Sequence, residues 1–299
     1  MQGSGTSYDV IIIGGGPAGM TAAVYLARFR RRCIVLHAGD SRAAHIPLAR
    51  NVPGFFEGIS GRDLLARLTS QAEAYGAEIR QAQVHRVLHA NDGFVAQCTD
   101  GAQVMGSTVL LATGSIDLVP DIYGLPDAVG RGVVRICPVC DGYETAGRTV
   151  AVVGDPDRSL NEARFLLNFE ADVAILGDQF SEQIHAEARR SGITVHEGVA
   201  DVEMHADGIR VKRADGRVLA FDHLYPAYGC EPRSELGAPL GVDFLGSGHI
   251  ETDEHQRTSV PGIWAAGDVV HSLSQIAVAF GQAAVAATSI HNSLLDQEH

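Results

Sequence analysis

Val10-Ile11-Ile12-Ile13-Gly14-Gly15-Gly16-Pro17-Ala18-Gly19 is the stretch on which the fold turns. An apolar run meets a cluster of glycines and continues into helix formers through Ala22, Ala23 and Leu26, the pattern of strand, tight turn and helix. A second apolar run, Cys33 to Leu36, follows the basic cluster Arg28 to Arg32 and completes a βαβ unit of about 30 residues, the length a parallel crossover needs. Gly14, Gly16 and Gly19 spell G-x-G-x-x-G at the place where it can act. Gly14 allows the turn, Gly16 lets backbone approach a pyrophosphate, and Gly19 lets the helix pack on the strand. The helix N–H groups then face the phosphates.

A second strand-turn-helix-strand stretch begins at Thr149 with Val150-Ala151-Val152-Val153-Gly154, runs through an amphipathic Leu160 to Phe169 and returns as Val173 to Leu176. The positions matching the glycine fingerprint are Gly154, Pro156 and Ser159, with Asp155 and Asp157 lining the turn. Proline removes an N–H there and the two carboxylates repel phosphate. The following strand ends in Leu176-Gly177-Asp178, where recognition of the 2'-phosphate of NADPH calls for arginine. The chain then returns to dinucleotide-type sequence at 258–268, followed by an apolar helix expected over about Gln275 to Leu295.

With 299 residues, 45% of them hydrophobic, the length favours two domains of moderate size. The net charge of -13, from 23 basic and 36 acidic residues, repels phosphate-rich polymers and anionic bilayers, so neither a nucleic acid nor a membrane is an expected partner. Met1 to Ser7 is polar, with no secretory signal, and no apolar run reaches bilayer-spanning length. The sequence reads as a soluble, cytoplasmic protein.

Five cysteines make an odd, sparse set unsuited to a secreted disulfide framework, and only Cys137-x-x-Cys140 has a telling spacing. A helix starting around Pro138 puts Cys137 at its N-cap and Cys140 in its first turn, where the positive helix end lowers thiol pKa and favours the thiolate that attacks disulfides. No metal is expected: a zinc site calls for a second such pair or paired histidines. His85 and His89 sit in an alternating run that reads as a solvated strand face. Cys33, Cys98 and Cys230 are expected as buried apolar thiols.

Six blocks in order carry a resemblance: the first glycine fingerprint; Asn51-Val52-Pro53-Gly54-Phe55 with Gly58-Ile59-Ser60-Gly61; Leu111-Ala112-Thr113-Gly114; Cys137-Pro138-Val139-Cys140-Asp141-Gly142; Gly229-Cys230-Glu231-Pro232; and Gly267-Asp268. From Asp9 to about Ser293 the chain resembles the low-molecular-weight thioredoxin reductase family. That resemblance implies an α/β protein of two Rossmann-like three-layer domains, a discontinuous FAD domain of 1–116 plus 247–299 and a central domain of 117–246 carrying the cysteines. It implies FAD along the first βαβ unit, at Gly14, Gly16, Pro17, Ala18 and Gly19. His37 and Ala38 would lie by the adenosine ribose, with Val84 contributing as well, although the usual acidic residue is replaced by His37 and the family's Gly-Gly-Gln turn by Asp40-Ser41-Arg42. Ala112, Thr113 and Gly114 would pack near the pyrophosphate, Asn51 near the ring, Gly267 and Asp268 at the ribityl chain, and Gln275 and Ile276 beside the flavin.

Further implications concern chemistry. Cys140 would be the sulfur beside the flavin, Cys137 the one that meets an external thiol, and Asp141 the acid that carries the proton. The expected activity is exchange of electrons between FAD, the cysteine pair and a thioredoxin-like protein or small dithiol, without NADPH, in a homodimer. Alternatives stay open: an ordinary NADPH-dependent reductase using other nucleotide contacts, a dithiol oxidase running from thiol to flavin, feeding by ferredoxin or another carrier, a second flavin in the vacated cleft, or a flavin-binding redox sensor without turnover.

Overall fold

In the computed structural model, residues 7–39 and 41–298 are described. Most of the polar start Met1 to Ser7, and Asp40 in the altered turn, lie outside the described residues. In chain order the first leg comprises β1 (Tyr8–Ile13), α1 (Pro17–Arg28), β2 (Cys33–His37), a 3-10 turn (Arg42–His45), α2 (Gly61–Ala74), β3 (Glu78–Gln81), β4 (Val84–Ala90), β5 (Gly93–Cys98), β6 (Gln103–Leu111) and β7 (Ser115–Asp117). The middle comprises α3 (Leu125–Gly130), α4 (Pro138–Asp141), a 3-10 turn (Gly142–Thr145), β8 (Thr149–Gly154), α5 (Pro156–Leu166), β9 (Asp172–Leu176), α6 (Glu182–Ser191) and β10 (Thr194–His196). It continues with β11 (Val199–His205), β12 (Gly208–Arg213), β13 (Val218–Phe221), β14 (His223–Ala227) and β15 (Cys230–Pro232). The return leg carries β16 (Ile263–Ala265) and α7 (Ile276–Glu298).

The chain divides into two compact units, residues 1–44, 59–116 and 231–299 in one, 45–58 and 117–230 in the other. The second crossing therefore falls at 230/231 rather than at 246/247. Leu240 and Val242 explain why, since both are buried in the core of the first unit with Ile250. The loop 45–58, expected in the first domain, groups with the second, where Arg50 meets Glu144 at 3.7 Å.

In the first unit β3-β2-β1-β6 form a parallel sheet, β16 adds to β6, and the sheet continues antiparallel through β5 and β4. The opening apolar run is buried on both faces, as its lack of alternation requires. Val10 and Ile12 join α1, α2 and α7, whereas Ile11 and Ile13 join the opposite core. Each such aliphatic contributes about 1.5–3 kcal/mol by leaving water. The opposite face is covered not by helices but by the curled meander, through Val87, Phe94 and Ala96, and by the return segment. Ala279, Ala283 and Ala287 of α7 pack with Ala22, Ala23 and Leu26 of α1, small residues letting the helices lie close.

The second unit repeats the plan. A parallel sheet in the order β10-β9-β8-β14 has α5 and α6 on one face, and α3 with the antiparallel ribbon β11-β12-β13 on the other. Pro226 is tolerated because β14 is an edge strand. His85 and His89 are exposed on β4. Among the described residues no helix is long and apolar enough to cross a membrane. Cys33 and Cys98 are buried, and desolvation pushes the Cys33 thiol up to about 12; Cys230, expected as buried, is only half so.

Candidate active site

The glycine turn of the first unit is built to admit an anion. A Cβ on Gly14, whose φ is +119°, would lie 2.1 Å from the Ala112 carbonyl oxygen, and one on Gly19 would lie 1.9 Å from the Gly14 carbonyl. Both positions therefore exclude side chains. Gly16 is the N-cap of α1 and no side chain caps that helix end, so its first N–H groups stay available to an outside acceptor. Pro17 and Ala18 are the first two residues of the helix, and Ala18 is buried.

Apart from Asn51, the other residues expected around FAD belong to the same unit. His37 ends β2 with its Cβ 2.8 Å from where a Gly15 Cβ would stand, and burial lowers its pKa, keeping the imidazole neutral at pH 7. Ala38 follows it on the surface, while Val84 opens β4 against the meander core. The Ala112 N–H donates to Ile13 at 2.8 Å, the Thr113 hydroxyl to the Arg233 carbonyl at 2.5 Å, and the Arg233 N–H to Gly114 at 2.8 Å. Those bonds tie the strand end to the return leg. The Gly267 N–H donates to Gln282 Oε1 at 2.8 Å, and Gln275 immediately precedes Ile276, the first residue of α7.

Asp268 is engaged by a residue the sequence reading had not placed in the site. Arg42 Nη1 donates to Asp268 Oδ2 at 2.8 Å, and Ser115 Oγ approaches the same oxygen at 3.4 Å. The turn that replaces Gly-Gly-Gln thus returns to the carboxylate and lies over the glycines, with Ser41 Oγ 3.5 Å from where a Gly16 Cβ would be. The open helix end, the excluded Cβ atoms and this polar cluster fit a dinucleotide such as FAD. Asn51 alone of the expected set is carried on the other unit.

Cys137 and Cys140 form a disulfide in the second unit, with Cα atoms 5.3 Å apart. Cys137 is the N-cap of α4 and Pro138 its first residue, as the spacing predicts, but α4 is only four residues long, so the field at the sulfurs comes from one turn of N–H groups. The Cys140 N–H donates to the Cys137 carbonyl at 2.9 Å. Behind the turn, a Cβ on Gly142 would strike the Phe169 ring at 2.5 Å, and the Thr145 hydroxyl donates to the Gly142 carbonyl at 2.7 Å. Both sulfur-bearing residues are half-buried, with Val139 exposed between them.

Neither oxygen of Asp141 is left to water alone. The Tyr225 hydroxyl donates to Oδ1 at 2.7 Å and Arg135 Nη1 stands 3.1 Å from Oδ2. Burial pushes the carboxyl above the usual range, opposed by the Tyr225 hydrogen bond and the Arg135 charge. Neither partner was anticipated from the sequence. The only available signal was a tyrosine inside the apolar run His223-Leu224-Tyr225-Pro226-Ala227, because a buried phenol needs an acceptor.

The second strand-turn-helix is capped by its own side chain. Asp155 is the N-cap of α5, and its Oδ1 accepts the Arg158 N–H at 3.0 Å, satisfying one of the donors of that helix end. Pro156 is the first helical residue and Asp157 stands exposed beside it. Ser159, at the third fingerprint position, is fully buried. After β9, a Cβ on Gly177 would meet the Phe180 ring at 2.7 Å, and Glu197 Oε1 accepts the Phe180 N–H at 2.7 Å. Asp155→Ala is expected to lower stability by about 1 kcal/mol through loss of the cap, read from the midpoint of urea unfolding at unchanged slope.

Residues 8–283 match the family model for pyridine nucleotide-disulphide oxidoreductases. The chain is 30% identical to the thioredoxin reductase of Aquifex aeolicus over 98% of its own length and 95% of that protein's. It is 32% identical to the thioredoxin reductase of Listeria monocytogenes over 93% and 91% of the two chains. The crystal structure of thioredoxin reductase from Streptococcus pyogenes superimposes with a TM-score of 0.89 at 29% identity, covering 98% of this chain and 100% of that one.

Proposed function

The chain belongs to the pyridine nucleotide-disulphide oxidoreductase family and is a flavin disulfide oxidoreductase of the thioredoxin-reductase type; from that premise we propose that it exchanges electrons between FAD and the Cys137–Cys140 pair, and then with a thioredoxin-like protein or small dithiol, without drawing on NADPH. One observation carries the last clause: the helix end that would hold the nucleotide's pyrophosphate is capped by the chain's own Asp155, whereas the corresponding end of α1 is open. A pyrophosphate at α5 would have to displace that carboxylate and lie beside Asp157. The same reasoning opposes a second FAD there, so the reading is one flavin per chain.

FAD, when bound, supplies a carrier for two electrons. Gly14, Gly16 and Gly19 leave room for its pyrophosphate, α1 offers N–H donors, and Asp268 with Arg42 and Ser115 provides polar partners for the ribityl chain. At the disulfide, a thiolate of the dithiol attacks Cys137 Sγ, the S–S bond breaks, and Cys140 leaves as the thiolate. The second thiol of the substrate then closes its own disulfide and releases Cys137. The substrate is oxidised by two electrons and the pair reduced by two, and Asp141 takes up and passes on the proton. Run in reverse, the same steps reduce a protein disulfide. Flow from dithiol to flavin makes the protein a dithiol oxidase.

The competing reading, an ordinary reductase holding NADPH through other contacts, draws on the likeness to thioredoxin reductases. Calorimetric titration with NADPH separates the two. No saturable binding tighter than about 1 mM is expected, and a micromolar dissociation constant would overturn the NADPH-independent reading.

A further inference from the structure

We propose that Arg135 and Tyr225 are positioning residues that hold Asp141 in a fixed orientation and set the pH at which it exchanges its proton with the Cys137–Cys140 pair. The inference rests on the redox reading of that pair, but the geometry stands apart from it. Tyr225 is fully buried on β14, beside Val152 of β8, and its hydroxyl reaches Asp141 Oδ1 at 2.7 Å. Arg135 follows the segment that runs along β14: Val134 bridges to Leu224, and the Arg135 N–H donates to the Leu224 carbonyl at 2.9 Å. The backbone that positions the guanidinium is thus fastened to the strand that positions the phenol. One oxygen of Asp141 faces each.

A carboxylate needed only to cap a helix would not require two partners, one on a strand 84 residues away in sequence and the other on the segment fastened to that strand. Two fixed donors have a specific consequence: they favour the ionised carboxylate against a burial that favours the acid. Their balance decides at what pH Asp141 holds its proton. The other charged group acting on it is Glu144, which adds negative charge and is itself paired with Arg50 at 3.7 Å; Cys137 and Cys140 belong to the same short turn as Asp141. On the far side of Arg135 lies His223, whose Nδ1 is 3.4 Å from Arg135 Nε and which burial keeps neutral at pH 7. Beyond it, Asp222 is held by Thr149 and Arg148.

Removing the phenol hydroxyl in Tyr225→Phe, or the cation in Arg135→Met, withdraws one stabilising partner from the ionised form, so each is expected to raise the Asp141 titration midpoint by about one pH unit. The midpoint is read by infrared difference spectroscopy of the carboxyl band in the oxidised protein, with Asp141→Asn identifying the band. That reading needs no turnover, so it tests the positioning even if the redox assignment fails. The pH profile of disulfide exchange with dithiothreitol is expected to move upward by the same amount in both variants, and Arg135→Lys to restore it in large part. An Asp141 midpoint unmoved in both variants overturns the proposal, as does a moved midpoint with an unmoved exchange profile. A purely structural role would lower the melting temperature and leave both profiles in place.

Discussion

Cys140→Ser is expected to abolish bleaching of the flavin by a dithiol, slowing it by about a thousandfold or more. The reason is chemical rather than structural. Exchange needs a leaving sulfur that is stable as an anion near neutral pH, and a serine hydroxyl at the same position is not one. The α4 turn is held from behind by Phe169 against Gly142 and by Thr145, neither of which involves the Cys140 sulfur, so the fold should survive the change. Cys137 remains as a free thiolate, so when the partner is supplied as its disulfide Cys137 Sγ attacks one partner sulfur, the other leaves as a thiolate, and the variant should accumulate a mixed disulfide, visible as a mass increase that a reductant removes. Stopped-flow absorbance at the flavin band checks the rate. Bleaching of the variant at the wild-type rate would mean that electrons reach the flavin by a route outside this pair.

Gly19→Val should be equally severe for a different reason. Its Cβ would stand 1.9 Å from the backbone carbonyl of Gly14 and 3.3 Å from Ile12 Cγ2, and neither the turn nor β1 can retreat, because the Gly14 region is itself pressed against Ala112. The expected cost is about 3 kcal/mol or more, as overpacking against backbone rather than against a flexible side chain. Protein that still folds should carry little flavin. Gly16→Ala makes the informative comparison. The nearest atom to its new methyl is Ser41 Oγ at 3.5 Å, an ordinary contact, so it should fold normally and lose only affinity for the cofactor, since the methyl would occupy the approach of the pyrophosphate. Flavin content together with urea unfolding distinguishes the two variants. Equal stability of Gly19→Val and wild type would contradict the packing account of this turn.

Local pattern made the first βαβ unit readable: an unbroken apolar run can only be a strand buried on both faces, and β1 divides its residues between the two cores. The cysteine turn was readable because proline selects the first position of a helix. The altered second fingerprint was read as repulsion between carboxylates and phosphate, and the structure adds a more definite role, since Asp155 satisfies the helix end itself. What escaped the sequence depends on contacts between distant segments. Arg42 and Asp268 are 226 residues apart, and nothing local in Asp40-Ser41-Arg42 indicates where the guanidinium will go. Tyr225 lies 84 residues from Asp141, and Arg135, though close in sequence, reaches it only because its backbone is fastened along β14. The grouping of 45–58 with the cysteine-bearing unit and the boundary at 230/231 likewise follow from which core takes up Leu240 and Val242 and where Arg50 finds Glu144, and no composition change marks either place.

The likeness to thioredoxin reductases and the closed end of α5 pull in different directions on one point only, the source of the electrons. The flavin disulfide oxidoreductase class stands whichever way that point falls. The most direct test is a single anaerobic sample of the flavin-loaded protein, followed at the flavin absorbance band while stoichiometric NADPH is added first and a stoichiometric dithiol second. No change at the first addition and full bleaching at the second is the expected result. Prompt bleaching by NADPH would contradict it.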